Sequence, residues 1–286
     1  MNYVEFSRKK FGWVTNLIRN YFMDIKDDLI RSKIGLTLDE YLSVAVSTTV
    51  IAFFIETILL SIIFSFIVKN PFESVIMATT LSFALSGLLF LMFYIYPSSV
   101  AKTREKDINL TLPFSSTYFY AMSSGEVLPS QLFKTMSQFK DYGEVSKESK
   151  EVYRNVEMFG MDILKSLKTV AESTPSKKLK EFLWGMYTTI SSGGNLTEYL
   201  KDKSNELMAD YANRIEKFSR DMSVYIEIYF TLIIAGSIFF IVLSAVMGII
   251  SASPTIVMIQ SFVIFIFLPL VSLLFIIFTK SVSPIQ

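Results

Sequence analysis

Apolar positions along the chain follow two regimes. In residues 43–68, 74–101 and 228–279 they are nearly continuous. Elsewhere they return every three or four positions with charge between them, the period of a helix with one buried face. Between residues 43 and 68 the only charge is Glu56, and the other two stretches hold none. A helix needs about 20 apolar residues to cross the hydrocarbon of a bilayer. The first two stretches therefore predict one span each. The third is long enough for two, divided at Ser251-Ala-Ser-Pro254, which has turn composition. The predicted spans are 44–68, 75–96, 226–250 and 256–279.

The polar regions read as helical. Val4, Phe11, Val14, Ile18, Tyr21, Ile25 and Leu29 form an amphipathic stripe before the first span. Two placements fit it: packed on the rest of the protein, or lying among lipid headgroups with Arg8, Lys9 and Lys10 near anionic lipid. Thr37-Leu-Asp-Glu40 has capping-box form and opens the first span at Leu38. In residues 97–223 no β-branched alternation occurs. The pattern predicts a helix over 102–124 broken at Gly125, and another opened by Pro129-Ser130 with Leu132, Met136 and Phe139 on one face. A stripe of Val152, Val156, Phe159, Ile163, Leu167 and Val170 follows, with Gly160 as break or close-packing point. The next helix has Thr174 as N-cap, Pro175 at its first position, and Leu179, Phe182, Leu183, Met186 and Ile190 as buried stripe. Gly193-Gly194 ends it, because a left-handed cap favours a residue without Cβ. Asn195 caps a last helix, with Glu198 three residues on, carrying Leu200, Leu207, Tyr211, Ile215, Phe218 and Met222 on one face. No breaker separates this helix from the third span, which predicts a rigid connection between the polar block and the membrane.

The predicted fold is all-α: a polytopic membrane protein of four transmembrane helices with a helical bundle inserted between two transmembrane hairpins. The segments are an N-terminal amphipathic region (1–43), a hairpin (44–96), the bundle (97–223) and a second hairpin (224–280). No signal peptide is expected, since charge is mixed through the first 31 residues.

Composition narrows the function. Apolar residues make up 51% of the chain, too many for an ordinary soluble domain. The net charge of +1 gives no field that favours nucleic acid. Cys and His are both absent, which removes disulfides, thiol chemistry, imidazole catalysis and Cys/His metal sites. No P-loop or dinucleotide fingerprint occurs, and the spans lack Asp. The expectation is a non-enzyme with no catalytic residues, cofactor or metal. Basic residues set the orientation. Arg8, Lys9, Lys10, Arg19, Lys26, Arg31 and Lys33 precede the first span, and Lys102, Arg104, Lys106, Arg214, Lys217 and Arg220 flank the bundle. Lys69 stands alone in the first short loop. The bias places both termini and the bundle in the cytoplasm.

Two carboxylate features invite other readings. Glu56 lies mid-span, where a carboxylate is by default a functional hypothesis, so a small channel or transporter is the alternative function. No second charge completes a relay, and protonation, or a hydrogen bond to a Ser or Thr of another helix or subunit, is the simpler reading. Glu148 and Glu151 stand one helical turn apart, a pattern that a membrane-bound enzyme could use. They sit among lysines on a face expected to be solvated, with no sign of a cleft.

One resemblance covers roughly residues 112–200. Leu112-Pro113 through Ser124-Gly125-Glu126-Val127, then Phe159-Gly160-Met161-Asp162-Ile163, Thr174-Pro175-Ser176, Phe182-Leu183-Trp184-Gly185 and Ser192-Gly193-Gly194-Asn195-Leu196 stand in an order and spacing similar to the type II secretion F-domain family. The likeness is greatest to archaeal membrane platform proteins of the archaellum and type IV pili. It implies a multi-pass cell-membrane scaffold beneath a pilus-like filament. Such a scaffold engages a hexameric secretion ATPase in the cytoplasm and helps move pilin or archaellin subunits out of the bilayer. Many members carry two F-domain copies and this chain holds one, which implies a homo-oligomer or a second F-domain partner. Residues matching the pattern are Gly125, Glu126, Gly160, Asp162, Pro175, Gly193 and Gly194. The glycines and the proline also suit caps and turns. Glu126 and Asp162 are the better candidates for partner contact or polar roles between helices.

Overall fold

A computed structural model describes residues 3–68, 70–125, 127–250, 258–259 and 261–282. Lys69, Glu126 and the expected turn at 251–254 lie outside the described residues. The described residues are helical with no strand. The helices are α1 (Tyr3–Ile18), α2 (Asp24–Ser32), α3 (Leu38–Ile67), α4 (Pro71–Ser123), α5 (Pro129–Met136) and α6 (Gly143–Glu157). They continue with α7 (Ile163–Ser173), α8 (Lys177–Ser191), α9 (Leu196–Phe230), α10 (Gly236–Ile250) and α11 (Leu268–Val282). Among the described residues, four helical stretches are long and apolar enough to cross a membrane: Leu38–Ile67, Pro71–Ser123, Leu196–Ile249 and Val263–Lys280. The protein is an all-α, multi-pass membrane protein. Its chain forms two compact units, residues 1–203 and 204–286.

In the first unit α3 begins as expected, with Thr37 and Glu40 forming a complete capping box. α3 and α4 pair as antiparallel neighbours. α4 turns a stripe of small residues inward, Ser74, Ala78, Ser82 and Ser86 at four-residue spacing, all buried. Small side chains let two helix backbones approach closely in a bilayer. α1 packs along α3: the Tyr3 hydroxyl hydrogen-bonds Ser47 (2.9 Å) and Thr48 (2.8 Å), and Ser7 bonds Ser47 (2.8 Å). α1 is thus packed on α3, with Trp13 and Leu17 left exposed.

Around α1 and α4 the structure departs from the expected pattern. Tyr21 is not part of the inward stripe; it is 84% exposed. A 3₁₀ turn over Arg19–Phe22 advances the chain by a tighter step and changes the phase. Phe22 faces inward instead, edge-on to Phe90 and Tyr94 at 5.7 and 5.8 Å. The predicted helix over 102–124 is also not separate. α4 is one helix of 53 residues that carries Pro97 and Pro113 inside it. A proline removes the hydrogen bond to the carbonyl four residues back. At Pro97 that carbonyl is Phe93, and the Tyr41 hydroxyl of α3 donates to it at 2.7 Å. The partner supplied by α3 lets the helix pass the proline.

The polar end of α4 is the central post of the bundle. Ile108, Leu112 and Phe119 are buried, as are Leu132, Phe133 and Met136 of α5, Val152 of α6, Leu167 and Val170 of α7, and Phe182, Leu183 and Met186 of α8; α4 packs on α5, α6 and α8, and α7 on α6 and α8. Phe119 stands 5.2 Å from Phe133 and 5.6 Å from Phe182, ring centre to ring centre. The start of α9 closes this unit: Thr197 donates to the Ser123 carbonyl (3.0 Å), the Tyr199 hydroxyl to the Phe182 carbonyl (2.9 Å), and Leu200 is buried. Gly185 admits that tyrosine, since a Cβ there would lie 2.0 Å from its hydroxyl. Two expected stripe residues fall outside the core: Phe139 lies beyond the end of α5, and Phe159 is 64% exposed in the turn after α6.

In the second unit helical backbone continues from α9 through a π segment, Thr231–Ala235, into α10. No breaker interrupts it, as the sequence implies. α11 pairs with the end of α9 through Tyr229. Its hydroxyl meets Ser272 at 2.9 Å and its ring stacks on Phe275 at 4.3 Å, with Tyr225 against Phe278.

Candidate functional site

The charged residues of the first unit converge where α2, α4 and α6 meet. α2 ends at Lys33, a non-glycine residue held in the left-handed region with φ 53°. That conformation costs about 1 kcal/mol or more for a residue with Cβ. It aims the Lys33 amine at α6, where it bridges Glu148 (2.8 Å) and Glu151. From α4, Arg104 donates through Nε to Glu144 (2.7 Å) and through Nη2 to Glu148 (2.6 Å). Its Nη1 donates to the Arg31 carbonyl in the last turn of α2, where a helix leaves carbonyls unpaired and favours a cation.

One turn further along α4, Asp107 accepts from the Glu144 amide at 2.6 Å, so α4 caps the start of α6. Gly143 makes this possible. Its φ is 50°, and a Cβ would lie 2.3 Å from the Asp107 carboxylate. Arg104 and Asp107, three residues apart on one face, thus grip the same helix end.

The sequence reading of Glu148 and Glu151 is corrected here. Glu148 is not on a solvated face; it keeps 2% of its exposure, and Arg104 keeps 8%. Isolated charges at this depth would be costly, and the geometry answers with pairing on both sides. Burial alone pushes the Glu144 carboxyl up, but hydrogen bonds from Lys147 and Arg104 outweigh it and hold the group below the usual carboxylate range. Beside this network lies a cleft of about 540 Å³ bordered by Lys33, Arg104, Glu144, Lys147, Lys150, Glu151 and Arg154. No local pattern announces it, because its walls come from segments more than 100 positions apart.

The motif residues chosen from sequence occupy the opposite kind of position, the ends of helices. Gly125 follows α4 in a turn, its amide on the Met122 carbonyl at 3.3 Å. Gly160 (φ 61°) turns the chain between α6 and α7, and Asp162 then caps α7 by accepting from the Leu164 amide at 3.1 Å. Helix geometry therefore does ask for a residue of this type at 162. The expected N-cap at Thr174 is corrected to Ser176. Thr174 closes α7, Pro175 lies in the link, and Ser176 accepts from the Leu179 amide (3.1 Å) while donating to Asn109 of α4 (2.6 Å). Both hydroxyls could cap; the tie to Asn109 favours the second. Gly193 has φ 70° and ends α8, with the Gly194 amide on the Thr189 carbonyl at 2.8 Å. Asn195 accepts from the Glu198 amide at 3.1 Å, as expected. The structure does not bring Gly125, Gly160, Asp162, Pro175, Gly193 and Gly194 together into one site. Mid-span Glu56 has one carboxylate oxygen buried without a hydrogen-bond partner among the described residues.

Residues 116–244 match the family model for protein F of the type II secretion system (T2SS). The chain is 28% identical over 151 residues to an uncharacterised protein of Methanocaldococcus jannaschii, covering 53% of this chain and 25% of that protein. It is 27% identical over 135 residues to flagella accessory protein J of the same organism (47% and 24%). It is also 27% identical over 145 residues to flagella accessory protein J of Methanococcus voltae (50% and 26%). The chain thus spans about a quarter of the length of these relatives. No solved structure matches. Four membrane-competent helices mark a multi-pass membrane protein, in which residues 116–244 are similar to protein F of the type II secretion system and which is similar to the flagella accessory J proteins.

Proposed function

We propose that this chain is a non-enzymatic membrane platform for assembly of a pilus-like filament or archaellum. A separate cytoplasmic secretion ATPase does the work, and the platform couples it to the movement of filament subunits out of the bilayer. The observation that carries the reading is the extent of the F-domain match. It begins in the polar half of α4, takes in the bundle, and ends within the third apolar stretch. The matched unit is one that joins a polar surface to a membrane helix. The names of the relatives favour a filament system. The helical backbone from Leu196 into α10 has no break, which suits transmission of a displacement. The basic residues flanking the spans support a cytoplasmic bundle and cytoplasmic termini. The test is extraction of the full chain in detergent from its native membrane and assay of the eluate for the secretion ATPase. Absence of the ATPase under conditions that preserve the bundle would exclude the coupling role.

A further inference from the structure

We propose that the cleft between α2, α4 and α6 binds the phosphate of an anionic ligand, and that membrane lipid is the source. The charge inventory points to it. Lys33 and Arg104 at the back of the cleft are engaged by Glu144, Glu148 and Glu151, and Lys147 at the rim pairs with Glu144 at 2.6 Å. Lys150 and Arg154 also border the cleft, both exposed, and neither has an ion-pair partner among the described residues. They lie one turn apart on α6, as Lys147 and Lys150 do, so three cationic side chains line one edge of a concave site. Two of them have no carboxylate partner among the described residues, and Arg154 stands over the Phe159 ring at 5.7 Å. A phosphate with several acceptor oxygens satisfies clustered ammonium and guanidinium donors.

Position selects the lipid. The span predicted on α4 ends at Tyr96, before Pro97 and two serines. Val100, which also borders the cleft, is about 6 Å further along the helix and Arg104 about 12 Å. The headgroup layer on each side of a bilayer is about 5–8 Å deep. The mouth of the cleft therefore lies at the depth of lipid phosphates, and its floor just beyond them. This inference uses the membrane placement of α4 and is independent of the coupling to an ATPase.

The full chain, purified in mild detergent with an equal mixture of phosphatidylglycerol and phosphatidylcholine, provides the test by native mass spectrometry. The lipid site requires preferential retention of phosphatidylglycerol. Retention should fall about tenfold in the double variant Lys150→Glu/Arg154→Glu and stay unchanged in Lys180→Glu, a control at an exposed position of α8. A thermal melt of the unmodified chain with millimolar inorganic phosphate is run in parallel, which keeps the test independent of how the variants fold. A rise in melting temperature with phosphate, lost in the double variant and without discrimination between lipids, would assign the same site to a free phosphate. Equal retention of both lipids in all three proteins, with no response to phosphate, would overturn the proposal.

Discussion

Glu148 holds two cations from different parts of the chain, and its removal leaves both of them short of a partner in a place with little water. Loss of one member of a buried ion pair costs about 3–5 kcal/mol, far more than the pair contributes over an apolar replacement. Glu148→Ala is expected to destabilise the detergent-solubilised protein by that order in a denaturant titration. Lys147→Ala at the exposed rim should cost less than about 1 kcal/mol. Glu144 adds a pH dependence. Its carboxyl is held below its ordinary value of 4.5, so its contribution to stability is whole above that pH and is lost as pH falls through the lowered folded value. Thermal melts between neutral pH and acid should show a steeper acid-side loss in the unmodified protein than in Glu144→Gln.

The elements show which parts of the fold are readable from sequence. The box at Thr37, the cap at Asn195 and the left-handed Gly193 follow from residues within four positions of one another, and each stands as expected. The exchange of Thr174 for Ser176 depends on Asn109, 67 positions away, and the burial of Glu148 on Lys33, 115 away. Local periodicity contains neither distance. The continuity of α4 past Pro97 was hidden for the same reason, since the Tyr41 hydroxyl that takes over the Phe93 carbonyl is 52 positions back. Tyr41→Phe keeps the ring contact with Phe93 and removes only that donor. It is expected to cost about 1–3 kcal/mol, the penalty of a buried carbonyl left unpaired. The loss should appear in the same denaturant titration, and a variant as stable as the parent would mean that Pro97 needs no support from α3.

At the scale of the molecule, the four apolar helices and the helical bundle were legible because continuous apolar runs and the three-to-four spacing are strong signals. The charged cleft was not, because it is assembled only when α2 returns against α4 and α6. Orientation is the next property to measure. The chain contains no cysteine, so Lys180→Cys on the exposed face of α8 is a single reporter. It should react with a membrane-impermeant maleimide only in inverted vesicles, and labelling of intact cells would place the bundle outside.

On the proposed reading the protein does no work of its own and takes it from a motor bound to its bundle. Co-purification with the secretion ATPase, with ATP turnover measured on the complex and on the chain alone, tests it most directly. The ATPase should elute with the chain, with turnover only where the ATPase is present. ATP turnover by the chain alone, or an ATPase that never elutes with the intact chain, would contradict it.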